Sequence, residues 1–252
     1  MIKAGYDLVE KTAGKKVDFY KKDKIAYFIS SMLAGVYVGI CMITILVMAS
    51  LLTDFAGIKI LQGVSFAAAL SLVVFAGAEL FTGNVFVITA GLLLKTVKTR
   101  DALAVGVFCY LGNLAGSVIT AALFWGTGYL KDNVLTAAAN AIDAKTAPFF
   151  GELFIRGILC NILVCAAVWC AYKLTSESGK LILIFWSIYL FVVCGFEHCI
   201  ANMTLFSLGA MGNADGNILG LIIKNLAATT AGNILGGVML SLAYWKISKK
   251  SP

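Results

Sequence analysis

The chain of 252 residues is 60% hydrophobic and only 13% charged, and its formal net charge is +7. Because soluble domains carry about 25% charged residues, this composition excludes an ordinary soluble protein. The apolar residues form long blocks, as in spanning helices, and show none of the alternating segments of roughly 10 residues that build membrane β-barrels. The sequence therefore predicts an all-α integral membrane protein.

The N-terminal segment, residues 1–24, is polar and rich in lysine, with Ile2, Tyr6, Val9 and Ala13 at helical spacing. This pattern predicts an amphipathic helix that lies on the inner face of the membrane. A solvated basic tail is the alternative. We therefore treat residues 1–24 as a cytoplasmic amphipathic segment.

Six apolar blocks follow, each at least as long as the ~20 residues that a spanning helix needs. They cover residues 25–52, 60–94, 102–130, 148–172, 181–211 and 217–245. Outside the blocks, fifteen Lys and Arg residues fall in the N-terminal segment, in the connections 95–101 and 173–180, and in the C-terminal tail. The other connections contain three, Lys59, Lys131 and Lys145. This positive-inside bias predicts a multi-pass protein of the cytoplasmic (inner) membrane with both termini, including the tail 248–252, in the cytoplasm. It also argues against nucleic acid as a partner.

The second block is too long for one simple span. Its roughly 35 residues would form a helix of about 50 Å, whereas the hydrocarbon layer is about 30 Å thick. Its middle contains Gly77, Glu79 and Gly83. A charged residue at that depth faces a cavity or a partner, and irregular backbone persists there only where protein or water covers it. We predict a broken helix at a central pathway, where Thr82, Asn84 and backbone N–H groups replace the water that an anion sheds.

Between the third and fourth blocks, residues 131–147 are predicted to form an extracytoplasmic loop. Lys145, near its end, could raise the anion concentration at a pore mouth, or it could be an ordinary surface lysine. In the fourth block, Asn161 is a polar candidate, whereas Arg156 is assigned a structural role.

The fifth block is interrupted in the same manner, at Gly195, Glu197 and His198. His198 is the only histidine of the chain. A neutral imidazole can donate a hydrogen bond to an anion, and a protonated one can supply charge or a proton. Because Glu79 and Glu197 would repel an anion, we expect them to accept hydrogen bonds from backbone donors at the breaks, or to orient neighbouring side chains.

The two halves of the chain resemble each other. Matching glycine, glutamate and asparagine residues recur in the same order at separations of 118 to 122 residues. The pairs are Gly35/Gly157, Glu79/Glu197, Asn84/Asn202, Gly112/Gly232 and Asn113/Asn233. Two repeats of three spans, residues 25–130 and 148–247, must insert with opposite orientation, which is the inverted-repeat plan of many transporters. The glycine pairs are of the small-xxx-small type that allows close helix packing.

Three segments resemble signature sequences of the formate/nitrite transporter family: ELFTG at 79–83, RGILCNILVC at 156–165 and GFEHCIANM at 195–203. The resemblance covers essentially the whole chain and is closest to the hydrosulfide-channel branch, although the Thr-Gly-Asn at the first break also suits nitrite-type members. It implies an aquaporin-like protomer of six helices with broken second and fifth helices. It also implies a homopentamer with one pore per subunit, and no catalytic residues, cofactor or metal.

The resemblance also assigns residues. It makes His198 the central pore histidine and Thr82 the polar residue of the first break, with Asn161 bonded near Thr82 and Lys145 supplying positive potential. The constriction residues are Leu80, Val164 and Phe191. Asn202 is a further pore candidate. The supporting residues are Glu79, Glu197 and Asn84. Leu80 and Phe191 are expected on the inner side, since the second span runs inward past Leu80 and the fifth starts inside just before Phe191.

The sequence thus favours a channel for small monovalent anions, such as formate, nitrite or hydrosulfide, or their conjugate acids. A proton-coupled secondary transporter of the same anions is the main alternative. An aquaglyceroporin would need two Asn-Pro-Ala boxes, but the only interior proline is Pro148. A membrane-embedded enzyme could use Glu197 and His198 as an acid/base pair, but no nucleophile motif, metal cluster or cofactor loop accompanies them.

Overall fold

The computed structural model describes residues 2–212 and 218–250, and in these ranges the chain forms eleven helices and no strand. In chain order the helices are α1 (Ile2–Lys22), α2 (Lys24–Leu51), α3 (Ile58–Phe66), α4 (Ala68–Phe75), α5 (Phe81–Leu93), α6 (Thr99–Gly126), α7 (Asp132–Thr146), α8 (Phe150–Lys173), α9 (Glu177–Val193), α10 (Cys199–Gly212) and α11 (Ile218–Ser248). The prediction of an all-helical chain is confirmed.

Within the described ranges, five elements are long and apolar enough to cross a membrane: α2, the nearly continuous pair α3–α4, α6, α8 and α11. Helices α5 and α10 are apolar but too short to do so. Large apolar side chains such as Leu103, Ile155 and Leu219 are exposed on the isolated protomer. Surfaces of this kind are covered by lipid or by neighbouring protein in a membrane.

Two short segments interrupt the helices in the second and fifth apolar blocks. Residues 76–80, here called return segment 1, connect α4 to α5, and residues 194–198, return segment 2, connect α9 to α10. Glu79 N–H donates to Ser30 O of α2, and Glu197 N–H donates to Arg156 O of α8. Each return segment is therefore fastened to the first long helix of its own half.

The helices before both return segments end in a Schellman motif. In this motif a residue in the left-handed conformation follows the helix, and the next N–H bonds back to a carbonyl five residues earlier. Gly77 (φ 74°) and Gly195 (φ 68°) occupy the left-handed positions, which glycine adopts without a steric penalty. The closing bonds are Ala78 N–H to Val73 O at 2.9 Å and Phe196 N–H to Phe191 O at 3.0 Å.

Backbone contacts at glycine join the long helices of each half. A Cβ atom at Gly116 of α6 would collide with Met32 O of α2, and a Cβ at Gly236 of α11 would collide with Ile158 O of α8. Helix α6 therefore approaches α2, and α11 approaches α8, to backbone contact. This is the structural reason for the paired glycines in the sequence.

Helix α1 packs against the protein with its apolar face. Tyr6, Val9 and Ala13 are buried, and the Tyr6 hydroxyl donates to Ser241 O of α11 at 3.1 Å. The amphipathic helix expected over residues 1–24 thus buries its apolar face against residues of the same chain. The connection 131–147, expected as a loop, contains α7, so a helix precedes the long helices of each half.

Candidate functional site

Two cavities enter the protomer from opposite sides. The α1-side vestibule, of about 420 Å³, is bordered by Lys16, Glu79, Leu80 and Tyr172. The α7-side vestibule, of about 310 Å³, is bordered by Lys145, Phe191, Glu197 and His198. These two vestibules are the approaches to the candidate site.

A narrow apolar centre separates the vestibules. Its cavity measures about 10 Å³ and is bordered by Leu80, Val164, Phe191 and His198, among others. This volume is near the minimum that can hold one water molecule. Leu80 also borders the α1-side vestibule, whereas Phe191 and His198 also border the α7-side vestibule.

Phe191 therefore lies on the opposite side of the centre from Leu80, and the expectation that both lie on one side is wrong. Helix α9 begins with Glu177, at the α1-side vestibule, and continues for 17 residues before the chain turns back. Phe191, near its C-terminal end, has by then passed the centre. Its ring lies nearly parallel to the imidazole of His198, with centroids 5.9 Å apart.

The position of His198 at the start of α10 determines which ring nitrogen carries the proton. His198 directly precedes α10, and its Nδ1 accepts the N–H of Ala201 at 3.2 Å, as an N-capping side chain does. Because a backbone N–H can only donate, Nδ1 is unprotonated and the neutral ring carries its proton on Nε2. Nε2 lies 3.0 Å from Thr82 Oγ1, so the imidazole donates to the threonine.

Thr82 is buried behind this imidazole, in the first turn of α5. Its hydroxyl accepts from His198 and keeps its own proton for donation. Asn161 Nδ2 donates to Thr82 O at 3.2 Å and to Asn233 O at 2.5 Å. The structure thus brings together Thr82, His198 and Asn161, three residues that the resemblance assigns to the pore.

Asn113 of α6 anchors return segment 1. Its Oδ1 accepts the Phe81 N–H at 2.9 Å, while its Nδ2 donates to Glu79 O at 2.9 Å and to Ser31 O at 2.7 Å. The amide therefore satisfies backbone groups where return segment 1 leads into α5, and it ties them to α2.

Asn233 of α11 anchors return segment 2 with equivalent bonds. Its Oδ1 accepts the Cys199 N–H at 3.0 Å, while its Nδ2 donates to Glu197 O at 2.9 Å and to Gly157 O at 2.8 Å. In the sequence, Asn113 and Asn233 stand out only as markers of the repeat. Their amides lie within apolar spans, a position that usually marks a functional or bonded group, and this signal could have identified them.

Glu79 lies in a cluster at the α1-side vestibule. Its carboxylate accepts from Lys16 Nζ at 2.6 Å, from Asn84 Nδ2 at 2.8 Å and from the Tyr27 hydroxyl at 3.2 Å. Lys16, contributed by α1, was not among the sequence candidates. Its signal was weak, since it is one of seven lysines in the first 24 residues.

Glu197 lies in the corresponding cluster at the α7-side vestibule. Lys145 Nζ donates to both carboxylate oxygens, at 3.1 and 3.0 Å, and Asn202 Nδ2 donates to Oε2 at 2.7 Å. Lys145 is therefore not an ordinary surface lysine. Of the two roles expected for Glu79 and Glu197, the structure shows the second: the carboxylates bind side-chain donors and orient their neighbours. Asn113 and Asn233, not the carboxylates, bind backbone N–H groups at the breaks.

The vestibules differ in charge among the described residues that border them. The α7-side vestibule has three cationic side chains and one carboxylate, whereas the α1-side vestibule has two of each. The residues are Lys59, Lys145, Arg156 and Glu197 on the α7 side, and Lys16, Lys180, Glu79 and Glu177 on the α1 side. The α7-side vestibule thus has the more positive potential.

Lys16 remains cationic in its cluster. Burial lowers the pKa of Lys16, but attraction and hydrogen bonding from Glu79, with weaker contributions from Tyr172 and Cys109, more than offset this effect. The pKa is therefore raised above its ordinary value. The side chain stays protonated at neutral pH.

Comparison with known proteins gives consistent matches. The family described as "Formate/nitrite transporter" matches residues 3–246. The nitrite transporter NirC of Salmonella typhimurium is 39% identical over 230 residues, covering 90% of this chain and 85% of the relative. The formate channel FocA of Haemophilus influenzae is 32% identical over 260 residues, covering 92% and 89%.

Solved structures match over nearly the full length. A structure titled "FNT family ion channel" superposes with a TM-score of 0.91 at 35% identity, covering 99% of both chains. A second, titled "Pentameric formate channel with formate bound", gives 0.77 at 29% identity, covering 90% of this chain and 98% of the other. The all-α membrane fold class predicted from the sequence is confirmed.

Proposed function

Because the chain belongs to the formate/nitrite transporter family, we propose that it forms a membrane channel for small monovalent anions or their conjugate acids. One observation carries the proposal: the only imidazole of the chain faces an apolar constriction of about 10 Å³ between two charged vestibules. A constriction of this size limits the permeant to small species. The Nε2–H of His198, which donates to Thr82 Oγ1 in this structure, can exchange that bond for one to the permeant.

The proposed path begins at a vestibule lysine. Lys145 raises the local anion concentration on the α7 side, where the bordering cations outnumber the carboxylate. On the α1 side, where the bordering charges balance, Lys16 offers its ammonium group to the anion. Their partners Glu197 and Glu79 hold these ammonium groups in place. The anion then loses water at Phe191 or Leu80, depending on the direction of travel.

At the centre the anion meets His198. We assign His198 the role of a neutral donor, since protonation at Nδ1 would break the bond from the Ala201 N–H. Nε2–H exchanges its bond to Thr82 Oγ1 for one to the anion. Together with the Thr82 hydroxyl it replaces part of the water that the anion has shed, while Asn161 holds the Thr82 backbone. A full charge in an apolar slit is costly, so passage as the conjugate acid, with its proton taken from vestibule water, lowers the barrier further.

The permeant class follows from the relatives. NirC is named for nitrite and FocA for formate, so nitrite and formate are the first candidates for this chain. Hydrosulfide, which the sequence resemblance favoured, has the same charge and similar size and is the third candidate.

The proposed assembly is a homopentamer with one pore per protomer. A structural relative is titled pentameric, and the exposed apolar side chains of the isolated protomer require covering by lipid or by further copies. We place the protein in the cytoplasmic membrane as two inverted repeats, 25–130 and 148–247, each with a broken second span. Segments 1–24 and 248–252 lie in the cytoplasm, and 131–147 lies outside.

Flux into proteoliposomes tests the proposal. Formate, nitrite, hydrosulfide and chloride are compared side by side, with protein-free vesicles and a Val164→Trp variant as controls. Since Val164 borders the constriction, the tryptophan should fill it and stop the flux. Absence of flux for all three weak-acid anions, or full flux through Val164→Trp, would contradict the proposal.

His198→Asn separates the neutral-donor role from proton coupling. Asparagine is a favourable N-cap, so the variant keeps the Ala201 bond, but it cannot titrate. We expect slower flux with an unchanged dependence on pH. Loss of the pH dependence would instead indicate that His198 exchanges protons with the permeant, as in a proton-coupled transporter.

A further inference from the structure

The pairing of Lys145 with Glu197 belongs to a closed circuit of hydrogen bonds. Glu197 Oε2 accepts from Lys145 Nζ at 3.0 Å and from Asn202 Nδ2 at 2.7 Å. Asn202 Nδ2 also donates to Asn225 Oδ1 at 2.9 Å, and Asn225 Nδ2 donates back to Lys145 O at 2.7 Å. The circuit joins α7, return segment 2, α10 and α11 beside the α7-side vestibule.

Helix α11 also satisfies the C-terminal carbonyls of α7. The last four C=O groups of a helix have no partner within it, and α7 ends at Thr146. Lys224 Nζ donates to Thr146 O at 2.7 Å and to Pro148 O at 2.9 Å. A cation at this end of a helix also complements the helix dipole. Since Lys145 is the next-to-last residue of α7, fixing this end fixes the origin of its side chain.

The lysine at the other vestibule is held differently. Lys16 lies within α1, where the carbonyls bond to N–H groups of the same helix. Among the described residues, the hydrogen bond that fixes Lys16 from outside α1 is the one its ammonium makes to Glu79. The α7-side lysine is thus held at both backbone and side chain.

We propose that Lys224 and Asn225 are positioning residues that hold the Lys145 ammonium against Glu197 and thereby set the anion affinity of the α7-side vestibule. Neither residue borders that vestibule, so they act through Lys145. This inference rests on the proposed function. It assigns a role in permeation to residues of α11 that do not touch the permeant.

The test measures formate flux against concentration for Asn225→Ala in two backgrounds, the parent and Lys145→Met. In the parent, Asn225→Ala should raise the half-saturating concentration about threefold or more with little change in maximal rate, as expected for coupled neighbours. In Lys145→Met the same substitution should have no further effect. Lys224→Arg, which keeps the donors to the α7 carbonyls, should behave like the parent. Asn140→Ala, at an exposed position of α7, is the matched control.

An equal rise in both backgrounds, or a lower maximal rate alone, would overturn the inference. If Asn225→Ala does not assemble, Asn225→Asp carries the same test, because it keeps the shape and the bond from Asn202 but loses the donor to Lys145 O. Failure of the parent to pass any of the anions would refute the proposed function. Normal flux with an unchanged half-saturating concentration in the Asn225 variants would refute only the positioning role.

Discussion

The two asparagines that anchor the return segments should differ in their contribution to stability. Replacing Asn233 or Asn113 by Leu keeps the approximate volume but removes every hydrogen bond of the amide. Both side chains are fully buried, so water cannot replace the lost partners. The comparison therefore measures how much each amide contributes to holding its helix break.

The number of backbone groups left without a partner determines how much unfolding free energy each variant loses. In Asn233→Leu, the Cys199 N–H and Glu197 O each lose the one partner that the described part of the chain gives them. In Asn113→Leu, the Phe81 N–H is orphaned, but Glu79 O keeps a bond from Cys109 Sγ at 3.3 Å. Interhelical hydrogen bonds in membrane proteins contribute about 0.6 kcal/mol on average and at most about 1.7 kcal/mol each, whereas orphaned buried groups in general cost ~1–3 kcal/mol. We therefore expect a loss of about 2 kcal/mol for Asn233→Leu and about 1 kcal/mol for Asn113→Leu.

Reversible unfolding of the purified protein in mixed micelles, titrated with denaturing detergent, gives the free energy of unfolding. Asn140→Leu, at an exposed position, controls for the added apolar side chain. Because Cys199 directly follows His198, Asn233→Leu should also slow formate flux more than Asn113→Leu does. A larger loss of stability for Asn113→Leu, or losses below about 0.5 kcal/mol for both, would show that these amides do not hold the return segments.

Three further outcomes follow from local packing and charge. Gly116→Ala should lower the yield of folded protein, because its Cβ meets the Met32 carbonyl. Gly106→Ala, where a Cβ meets open space, should have no such effect. The two variants are compared by the yield of protein in the membrane fraction. Phe191→Ala should speed formate flux and admit larger anions such as acetate, since it removes a ring from the constriction; an unchanged ratio of acetate to formate flux would place the selective barrier elsewhere. Lys16→Met should lower the free energy of unfolding by about 2 to 3 kcal/mol, because it leaves the largely buried Glu79 carboxylate without its cation. Adding Glu79→Gln should recover part of that loss. If the losses of the two substitutions add up in the same micelle titration, the pairing does not contribute to stability in this way.

Several features of this protein were determined by local sequence. Length and hydropathy indicated a membrane protein, because a helix must have a minimum run of apolar residues to cross the hydrocarbon layer. Gly77 and Gly195 marked the helix breaks, since the chain needs a left-handed residue where each helix ends. The repeated Gly and Asn positions also showed the relationship between the halves, because both halves use the same backbone contacts.

The partners of the polar residues could not be read from the sequence. Lys16 and Glu79 are 63 residues apart and Lys145 and Glu197 are 52 apart, and many other lysines of the chain offered the same charge. The position of Phe191 was also misjudged, because the direction of a span does not show how far a helix continues before it turns back.

The sequence by itself thus determined the membrane setting, the helix breaks and the residue types at the site, since these depend on neighbours along the chain. Only the tertiary structure decided which lysine meets which carboxylate and which asparagine binds each return segment. The physical reason is that each of these depends on the distance and direction of a particular donor and acceptor, and packing of distant helices sets both.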